Sequence, residues 1–334
     1  YAYIAAEEAM KQSGIEIEPE RTGIVMGTAM AGIATIAYTQ EALTGASHKK
    51  VGPRFIPKIL GNIAAANIAI DYNIQGPSFT VSTACSSGGD AINTACMCMQ
   101  SGKADIMLAV GAESVLCPLV IYSLANAKAL SRRNDSPSTA SRPFDVTRDG
   151  FVIGEGGGAL VLETEEHALA RGAKIYAEIR GCGNTDDAYH VTAPHPEGRG
   201  AIACMKQAIA EAGINPSDIG YINAHGTATN KGDTVETSSI KKVFGNTLPY
   251  VSSTKGATGH MMGAGGITET ITCVKAIETG TVPPTINLNE VDPECAGIDF
   301  VANTAKKAEI NFAMSNAFGF GGQNSSIIVG KYGK

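Results

Sequence analysis

Apolar positions recur along the chain in short alternating blocks, which favour strands, and at spacings of three to four, which favour helices. Thr22 to Thr28 is a short apolar run that predicts a strand, and Ile4 to Ser13, which ends at Gly14, predicts a helix. Pro77 to Val81 is partly alternating and follows Gly76, which predicts a second strand after a turn. This alternation of strands and helices predicts an α/β protein whose sheets are covered by helices.

The two halves of the chain repeat one order of elements in one register. A helical pattern that ends at Gly213 precedes an apolar, strand-like run, as a helical pattern that ends at Gly14 does earlier. Gly14 and Gly213 are 199 positions apart (213 − 14), and Gly27 and Gly226 have the same separation, as do three neighbouring identities. Five matches at one offset favour an old duplication over chance. We predict two halves: residues 1–170 and 171–334.

A strand, a glycine-rich segment and a helix follow this repeat in the second half. Leu248 to Ser253 predicts a strand, Thr254 to Gly266 a glycine-rich loop, and Ile267 to Glu278 a helix. The same order surrounds Cys85 in the first half, so we expect Cys85 and the loop 255–260 at matching places. The first half shows no strand ahead of its opening helix, and we therefore expect that the chain lacks N-terminal βα elements.

Two further glycine-rich segments are interpreted as turns. Gly154 to Gly158 lacks the Lys-Ser/Thr of a phosphate loop and precedes the strand Ala159 to Glu163 instead of a helix, so neither a P-loop nor a dinucleotide fold is predicted. Close packing of the backbone explains this glycine run better than a phosphate-binding loop does. Asn316 to Gly322 is the second such segment, and the apolar strand Ser326 to Val329 follows it.

Composition narrows the class of protein. The chain has 334 residues, with 44% hydrophobic residues, 17% charged residues and 39 glycines, as in a compact globular protein with many tight turns. The net charge of −6, without a basic tail, argues against nucleic-acid binding, and an acidic partner would need a local basic patch. No apolar run is long enough to cross a bilayer, and the first residues do not resemble a signal peptide. The eight cysteines lack disulfide or zinc spacing, which favours reduced cysteines in a reducing compartment.

Cys85 is the first candidate for chemistry, because it lies where a predicted strand passes into a predicted helix. Unpaired N–H groups and the positive end of the helix dipole favour a thiolate there, and a thiolate attacks carbonyl groups. A lone cysteine is more often a buried structural residue. His225 and His260 change this balance, since each lies at a predicted strand–loop junction. Together the three residues offer a nucleophile and two imidazoles.

The segments around these residues resemble the motifs of elongating 3-oxoacyl-[acyl-carrier-protein] synthases, most closely the type II class (KAS II) of dissociated fatty acid synthesis. The resemblance covers essentially the whole chain. It implies the thiolase fold, an α/β fold of five layers (αβαβα) with two duplicated halves, in a homodimer, and it agrees with the internal repeat. The four segments are Val81 to Ser87, Asn223 to Thr229, Ser253 to His260 and Asn316 to Gly322.

The resemblance implies a decarboxylative Claisen condensation. Cys85 takes an acyl chain from acyl carrier protein as a thioester, and the backbone N–H groups of Cys85 and Phe318 form the oxyanion hole. His225 and His260 stabilise the enolate that malonyl-carrier protein leaves as carbon dioxide departs. The product is a 3-oxoacyl-carrier protein two carbons longer. No metal, nucleotide or flavin is implied, and the phosphopantetheine arm belongs to the carrier protein.

Other residues acquire roles only through this resemblance. Lys255 and Glu269 are implied to be a charged pair behind the site that positions His260 and water. The remaining residues include threonines, for which turn capping is the alternative explanation, and lysines, which could simply lie on a solvated face of the protein. These residues are Thr227 and Thr229 on the phosphopantetheine arm, Phe318 at the gate of the acyl pocket, Gly319 against the substrate, Asp187 to Thr192 in the facing loop, Met30 and Leu124 in the acyl pocket, and Lys49, Lys50 and Lys128 in a basic patch for the acidic carrier protein.

Four classes compete with this interpretation. A polyketide ketosynthase has the same fold, and a non-catalytic chain-length partner would lack the nucleophilic cysteine. A degradative thiolase would pair its cysteine with one histidine and a second cysteine, and a Cys/His hydrolase would release free acids. The acyl chain-length preference stays open. We expect a cytoplasmic protein that enters no membrane and binds no nucleic acid, with a plastid or the mitochondrial matrix as the alternative location.

Overall fold

The computed structural model describes residues 1–45 and 51–334. Within these ranges the chain is a mixed α/β protein, as predicted. The strands are β1 (Thr22–Gly27), β2 (Ser78–Val81), β3 (Ile106–Glu113), β4 (Gly156–Glu163), β5 (Glu178–Asp186), β6 (Ile219–Asn223), β7 (Tyr250–Ser252), β8 (Thr281–Val282), β9 (Asp299–Phe300), β10 (Lys306–Lys307), β11 (Phe312–Phe318) and β12 (Gln323–Gly330). The helices are α1 (Ala2–Ser13), α2 (Ile33–Thr44), α3 (Phe55–Ile59), α4 (Ile63–Tyr72), α5 (Ser87–Gln100), α6 (Pro118–Asn126), α7 (Glu165–Ala170), α8 (Arg199–Ala212), α9 (Asn230–Phe244), α10 (Lys255–Thr258) and α11 (Gly265–Thr279).

Each half contains a sheet of the same design. The first sheet is ordered β2-β1-β3-β4, and the second contains the matching run β7-β6-β11-β12, extended by β5 and β9. In the first sheet β1 pairs in parallel with β2 and β3, and β3 is antiparallel to β4. In the second, β6 pairs in parallel with β7 and β11, and β11 is antiparallel to β12. The predicted duplication is therefore confirmed by the topology.

Five layers follow from the faces that the strands bury. Along β1, Val25 packs in a cluster with α5 and α11, whereas Ile24 and Met26 pack in another with α1 and α4. In the second sheet, Tyr221 belongs to the cluster of α5 and α11, and Ile222 to that of α8 and α9. Successive strand residues point to opposite faces, so both sheets are buried on two sides and their strands are almost continuously apolar. The central layer is thus α5 and α11.

Glycines let these two central helices meet backbone to backbone. A Cβ added at Gly88 would lie 2.7 Å from the N atom of Ile267, and one added at Gly266 would lie 2.5 Å from the N atom of Gly89. No side chain fits at such distances, so the approach depends on glycine. The contact lies where α5 and α11 begin. It therefore brings together the segments that precede the two helices, one from each half.

Two predicted boundaries differ from the structure. β4 begins at Gly156, so most of the glycine run expected to be a turn is strand. A Cβ at Gly158 would lie 3.1 Å from side-chain atoms of Ile271 and Thr268, which shows that these glycines allow α11 to pack closely. The loop predicted over Thr254 to Gly266 contains α10 and a 3-10 turn at Met262–Ala264. Among the described residues, no helix combines the length and apolar character that a membrane span requires.

Candidate active site

Cys85 lies in a 3-10 turn, Ala84–Ser86, between β2 and α5, as the strand-to-helix prediction requires. Ser87 holds this turn, since its hydroxyl donates to the Ala84 carbonyl at 2.6 Å and accepts the Thr83 N–H at 2.9 Å. Ala84 has a φ of 51°, a left-handed conformation that is uncommon for a residue with a side chain. Backbone strain of this kind is concentrated at functional sites.

Both histidines converge on the Cys85 sulfur. Nε2 of His260 lies 3.0 Å from Sγ. The ligand atoms of Cys85, His225 and His260 are all within 4.8 Å of one another. The two imidazole rings are 5.3 Å apart and almost perpendicular, at 86°. This spacing allows both rings to contact one small group beside the sulfur, and a Cys-His-His set of this kind could also hold a soft metal ion.

Backbone contacts fix the two histidines in place. The N–H groups of His225 and Gly226 each donate to the buried carboxylate of Glu236 at 2.8 Å. The N–H of His260 donates to the Val152 carbonyl at 2.7 Å. Glu236 is not among the residues predicted from the sequence, although a carboxylate on the buried face of the helix that follows His225 could have indicated it. The anchor of His225 is thus the next helix, and that of His260 is the segment ahead of β4.

Both imidazoles are neutral near pH 7. Burial lowers the pKa of His260 well below its ordinary value, and the positive charge of Lys255 lowers it further. Burial and Lys255 lower the pKa of His225 in the same way, with a further contribution from His260. A neutral imidazole has one N–H to donate and one nitrogen to accept. Two neutral rings are suited to hydrogen-bond a developing oxyanion.

Burial raises the pKa of the Cys85 thiol to about 11, although Lys255 and the backbone N–H of Phe320 lower it. The thiolate expected from the position ahead of a helix is therefore a minor form at neutral pH. The physical reason is the apolar cluster around the sulfur, which disfavours the charged form. His260 compensates, because Nε2 at 3.0 Å is positioned to accept the thiol proton.

Lys255 and Glu269 form an ion pair whose side chains are 2% and 3% exposed. Lys255 donates to Oε1 of Glu269. Burial raises the pKa of Glu269, and the charge of Lys255 opposes this. Among the described residues, neither side chain hydrogen-bonds to a histidine, so Lys255 acts on His225 and His260 through its charge.

The glycine-rich turn after β11 covers the sulfur. The backbone N–H of Phe320, and not that of Phe318, lowers the pKa of the Cys85 thiol. This favours Phe320 over Phe318 as an oxyanion-hole donor, and the assignment stays a prediction. Phe318 is still part of β11, where it pairs with Asn324, whereas the strand has ended before Phe320. The ring of Phe318 instead lies 5.9 Å from the ring of His225, beside the site.

Gly319 passes directly over the turn that carries the nucleophile. A Cβ at Gly319 would lie 2.7 Å from the Thr83 carbonyl oxygen and 3.3 Å from the N atom of Cys85. The chain can therefore cross here only without a side chain. Gly319 thus lies against the turn of the nucleophile, and its contact with substrate stays a prediction.

The residues expected in the acyl pocket lie in the apolar cluster of Cys85. Met30, in the turn after β1, and Leu124, on α6, are partly buried against this cluster. Its buried members include Phe151 and Met262. The edge of the Phe151 ring faces His260 at 5.2 Å. An apolar chain bound to the sulfur would therefore have an apolar wall beside it.

Thr227 and Thr229 follow His225 at the start of α9. Their Oγ1 atoms are 3.0 Å apart and hydrogen-bond to each other. Thr229 occupies the N-cap position of α9, but its hydroxyl does not bond to the first N–H groups of the helix. Helix capping therefore does not explain this threonine, and both hydroxyls keep bonding capacity beside His225.

Asp187 holds together the loop that is expected to face the acyl gate. One carboxylate oxygen accepts the His195 N–H at 2.8 Å, and the other accepts from Asn324 Nδ2 at 3.1 Å. The side chain is buried. Asp187 therefore stabilises the loop from within, and its contact with substrate stays a prediction.

The rest of the facing loop lies against the glycine-rich turn. The Gly321 N–H donates to the Val191 carbonyl at 2.8 Å. Thr192 is exposed, and its N–H donates to His190 Nδ1 at 3.1 Å. Lys128 is exposed just beyond α6. Lys49 and Lys50 lie outside the described residues.

Comparisons with known proteins agree with this fold. Residues 1–168 match the family Beta-ketoacyl synthase, N-terminal domain, and residues 176–289 match Beta-ketoacyl synthase, C-terminal domain. The 3-oxoacyl-[acyl-carrier-protein] synthase 2 of Rhizobium meliloti (strain 1021) is 44% identical over 339 residues, which cover 99% of this chain and 80% of that protein. The mitochondrial 3-oxoacyl-[acyl-carrier-protein] synthase of Arabidopsis thaliana is 44% identical over 338 residues, which cover 98% and 73%.

Solved structures place the fold in the same group. A beta-ketoacyl synthase from Burkholderia phymatum STM815 has a TM-score of 0.92 and 35% identity over 99% of this chain and 81% of that one. A ketosynthase in complex with its type II polyketide acyl-carrier protein, bound to the hexaketide, has a TM-score of 0.94 and 34% identity over 99% and 83%. The five layers and duplicated sheets are those of thiolase-fold condensing enzymes. Within that class, the chain belongs to the beta-ketoacyl synthase family.

Proposed function

We propose that this protein is a 3-oxoacyl-[acyl-carrier-protein] synthase, which lengthens an acyl chain by two carbons through decarboxylative condensation. The observation that carries the proposal is the 3.0 Å contact between His260 Nε2 and Cys85 Sγ, with His225 in the same cluster. Relatives with this name are 44% identical over nearly the whole chain, which supports the same assignment.

Acyl transfer to Cys85 is the first step of this proposal. The thiol proton passes to Nε2 of neutral His260, the sulfur attacks the acyl thioester, and the phosphopantetheine thiolate leaves with that proton. Backbone N–H groups of Cys85 and Phe320 stabilise the tetrahedral oxyanion. Phe320 takes the place first given to Phe318, because its N–H is the one that reaches the sulfur. The acyl chain then lies along the apolar cluster of Met30 and Leu124.

Malonyl-carrier protein enters for the second step. His225 and His260 each donate one N–H to the malonyl thioester oxygen, His260 from Nε2 in the tautomer that carries the proton there. The oxygen holds the electron pair of the breaking carbon–carboxylate bond as an enolate. The enolate carbon attacks the Cys85 thioester, a carbon–carbon bond forms, and the sulfur leaves as a thiolate that takes a proton. Lys255 helps to keep both imidazoles neutral, so each retains one N–H to donate. In this scheme the enzyme supplies no metal or cofactor of its own.

The proposed partner in both steps is acyl carrier protein with its phosphopantetheine arm. Thr227 and Thr229 bind the arm, which is consistent with hydroxyls that bond to each other beside His225. Lys128 contributes to a basic docking patch, together with Lys49 and Lys50 beyond the described residues. A similar ketosynthase was solved with its own carrier protein, which supports this partner.

We also propose a homodimer. β2 is an edge strand of the first sheet, and its Phe79 side chain is 48% exposed. An apolar edge strand favours pairing with a second copy about a two-fold axis. Light scattering should give the mass of two chains, and Phe79→Lys should shift the protein towards a monomer. A wild-type monomer at micromolar concentration would contradict this part of the proposal.

Three finer assignments are part of the proposal. Residues 1–170 form the half with the nucleophile, and residues 171–334 form the half with both histidines. The polyketide alternative is less favoured, since the 3-oxoacyl-[acyl-carrier-protein] synthase 2 of Rhizobium meliloti is 44% identical and the polyketide ketosynthase 34%. The proposed location is the cytoplasm, with an organelle matrix as the alternative, because bacterial and mitochondrial relatives are equally similar.

Product analysis tests the function directly. The full chain is incubated with acyl-carrier proteins of several chain lengths and malonyl-carrier protein, and the products are identified by mass spectrometry. We expect 3-oxoacyl-carrier proteins two carbons longer than each accepted substrate, together with carbon dioxide. Free fatty acids without elongation would indicate a hydrolase instead. Strong preference for growing 3-oxo chains as substrates would favour the polyketide class.

A further inference from the structure

Glu113, the last residue of β3, is buried and accepts four hydrogen bonds. Oε1 accepts from Thr28 Oγ1 at 3.1 Å and from the Met30 N–H at 3.2 Å. Oε2 accepts from the Ala29 N–H at 2.6 Å and from the Gly263 N–H at 3.1 Å. An ionised carboxylate has about four acceptor positions and no donor. Every partner here is a donor, and these four hydrogen bonds favour the charged carboxylate, although burial raises the pKa of Glu113 above its ordinary value.

The four donors come from two turns that border the sulfur. One turn follows β1 and carries Met30, and the other is the 3-10 turn Met262–Ala264 that follows His260. Met30 and Met262 both belong to the apolar cluster of Cys85. Each turn also contains a left-handed residue with a side chain, Ala31 and Met262, both with a φ of 47°. Such conformations persist only where the surroundings hold them.

The two turns pack tightly against each other and against the Glu113 carboxylate. A Cβ added at Gly263 would lie 2.6 Å from the N atom of Ala29 and 2.7 Å from Oε2 of Glu113. One turn belongs to the first half of the chain and the other to the second. Glu113 therefore fixes a wall of the acyl pocket against the segment that carries His260.

We propose that Glu113 is a positioning residue that sets the acyl pocket beside Met30 and the placement of His260 at the same time. This inference rests on the condensing function proposed above. Without the carboxylate, the two turns lose their shared acceptor, so Met30 and Met262 move relative to the sulfur. Chain-length selection and malonyl decarboxylation then change together. Glutamine cannot replace Glu113, because its NH₂ group would face two of the four donors.

The test compares Glu113→Gln with wild type in the two half-reactions. Intact-protein mass spectrometry gives the rate of Cys85 acylation from a short-chain and a long-chain acyl-carrier protein, and release of labelled carbon dioxide gives decarboxylation of malonyl-carrier protein. We expect the long-to-short ratio of acylation rates to change about tenfold and decarboxylation to fall about tenfold. A role in stability alone would lower the melting temperature and leave the ratio unchanged.

Glu155→Gln is the matched control. Glu155 is also a hydrogen-bond acceptor, and its two donors lie just beyond the end of β3: the Leu116 N–H at 2.7 Å and Ser114 Oγ at 3.1 Å. It bonds to neither turn beside the sulfur among the described residues. Its substitution should leave both the acylation ratio and the decarboxylation rate as in wild type.

Glu113→Asp keeps the proposal testable if Glu113→Gln does not fold. Aspartate retains the charge but is one carbon shorter. We therefore expect the acylation ratio and the decarboxylation rate to change in the same direction as in Glu113→Gln, but by less. A folded Glu113→Gln or Glu113→Asp protein with the wild-type acylation ratio and decarboxylation rate would overturn the positioning role. A wild-type protein that never forms an acyl adduct on Cys85 would overturn the proposed function instead.

Discussion

Nε2 of His260 lies 3.0 Å from Sγ of Cys85, although the two residues are 175 positions apart in the chain. The sulfur precedes α5 and the imidazole precedes α11, and these helices touch where they begin. Neither half of the chain contains both groups. The chemistry therefore depends on how the halves are joined.

Cys85→Ala should lower condensation by about a thousandfold or more, because the acyl thioester can no longer form. The fold should survive, since the lost atom is small and costs about 1 kcal/mol. Intact-protein mass spectrometry after incubation with acyl-carrier protein should show no adduct. Cys98→Ala is the matched control, because Cys98 is equally exposed, at 8%, and lies on the far end of α5. An acyl adduct on the Cys85→Ala protein would refute the nucleophile assignment.

Alanine at either His225 or His260 should slow malonyl decarboxylation by about a hundredfold, because each removes one N–H donor from the enolate oxygen. Acylation of Cys85 should fall strongly only in His260→Ala, since His260 is the histidine that contacts Sγ. Labelled carbon dioxide release and adduct formation measure the two steps separately. His167→Ala, near Glu163 and away from the site, should affect neither. Normal decarboxylation in either active-site variant would exclude the proposed donor role.

The pH dependence of Cys85 alkylation tests the electrostatics of the sulfur. The thiol has a pKa of about 11, raised by burial, so the thiolate is lost as the pH falls below that value. Alkylation by iodoacetamide should therefore rise about tenfold for each pH unit between about 7 and 9, without a plateau. Peptide mass spectrometry can follow Cys85 alone among the eight cysteines. A plateau near neutral pH would show instead that the helix dipole stabilises the thiolate.

Lys255→Met should destabilise the protein by about 3 to 5 kcal/mol, because it leaves the buried Glu269 carboxylate without its partner. Lys255→Met with Glu269→Gln should recover part of this loss, since the unpaired charge is removed as well. Urea unfolding measures both. Lys174→Met removes the exposed partner of Glu278 and should cause no measurable change. Equal stability of the Lys255 and Lys174 variants would mean that the buried pair is unimportant for folding.

Much of the fold follows from local sequence signals. Gly14 and Gly213 both end helices in the left-handed conformation, with φ of 60° and 67°, and this requirement preserved the register that reveals the duplication. The position of Cys85 could be predicted for a similar reason, since the strand and the helix beside it each have their own periodicity. Such features depend on neighbours in the chain, which a sequence displays directly.

The features that the sequence analysis missed depend on distant segments. Phe318 and Phe320 differ in role only because β11 ends between them, and strand ends are set by the partner strand β12. The pKa of Cys85 is raised by an apolar cluster drawn from many segments. Glu236 and Asp187 accept from the backbone N–H groups of His225 and His195, which are near in the chain, but their residue type alone does not show which donors they meet.

The glycine contact between α5 and α11 also constrains how enzymes of this kind can be recombined. A chimera that takes its first half from one relative and its second from another must keep glycine at positions 88 and 266, because a Cβ at Gly88 or Gly266 would collide with the backbone of the other helix. Such a hybrid would therefore be constrained at positions whose role is helix packing and not contact with substrate.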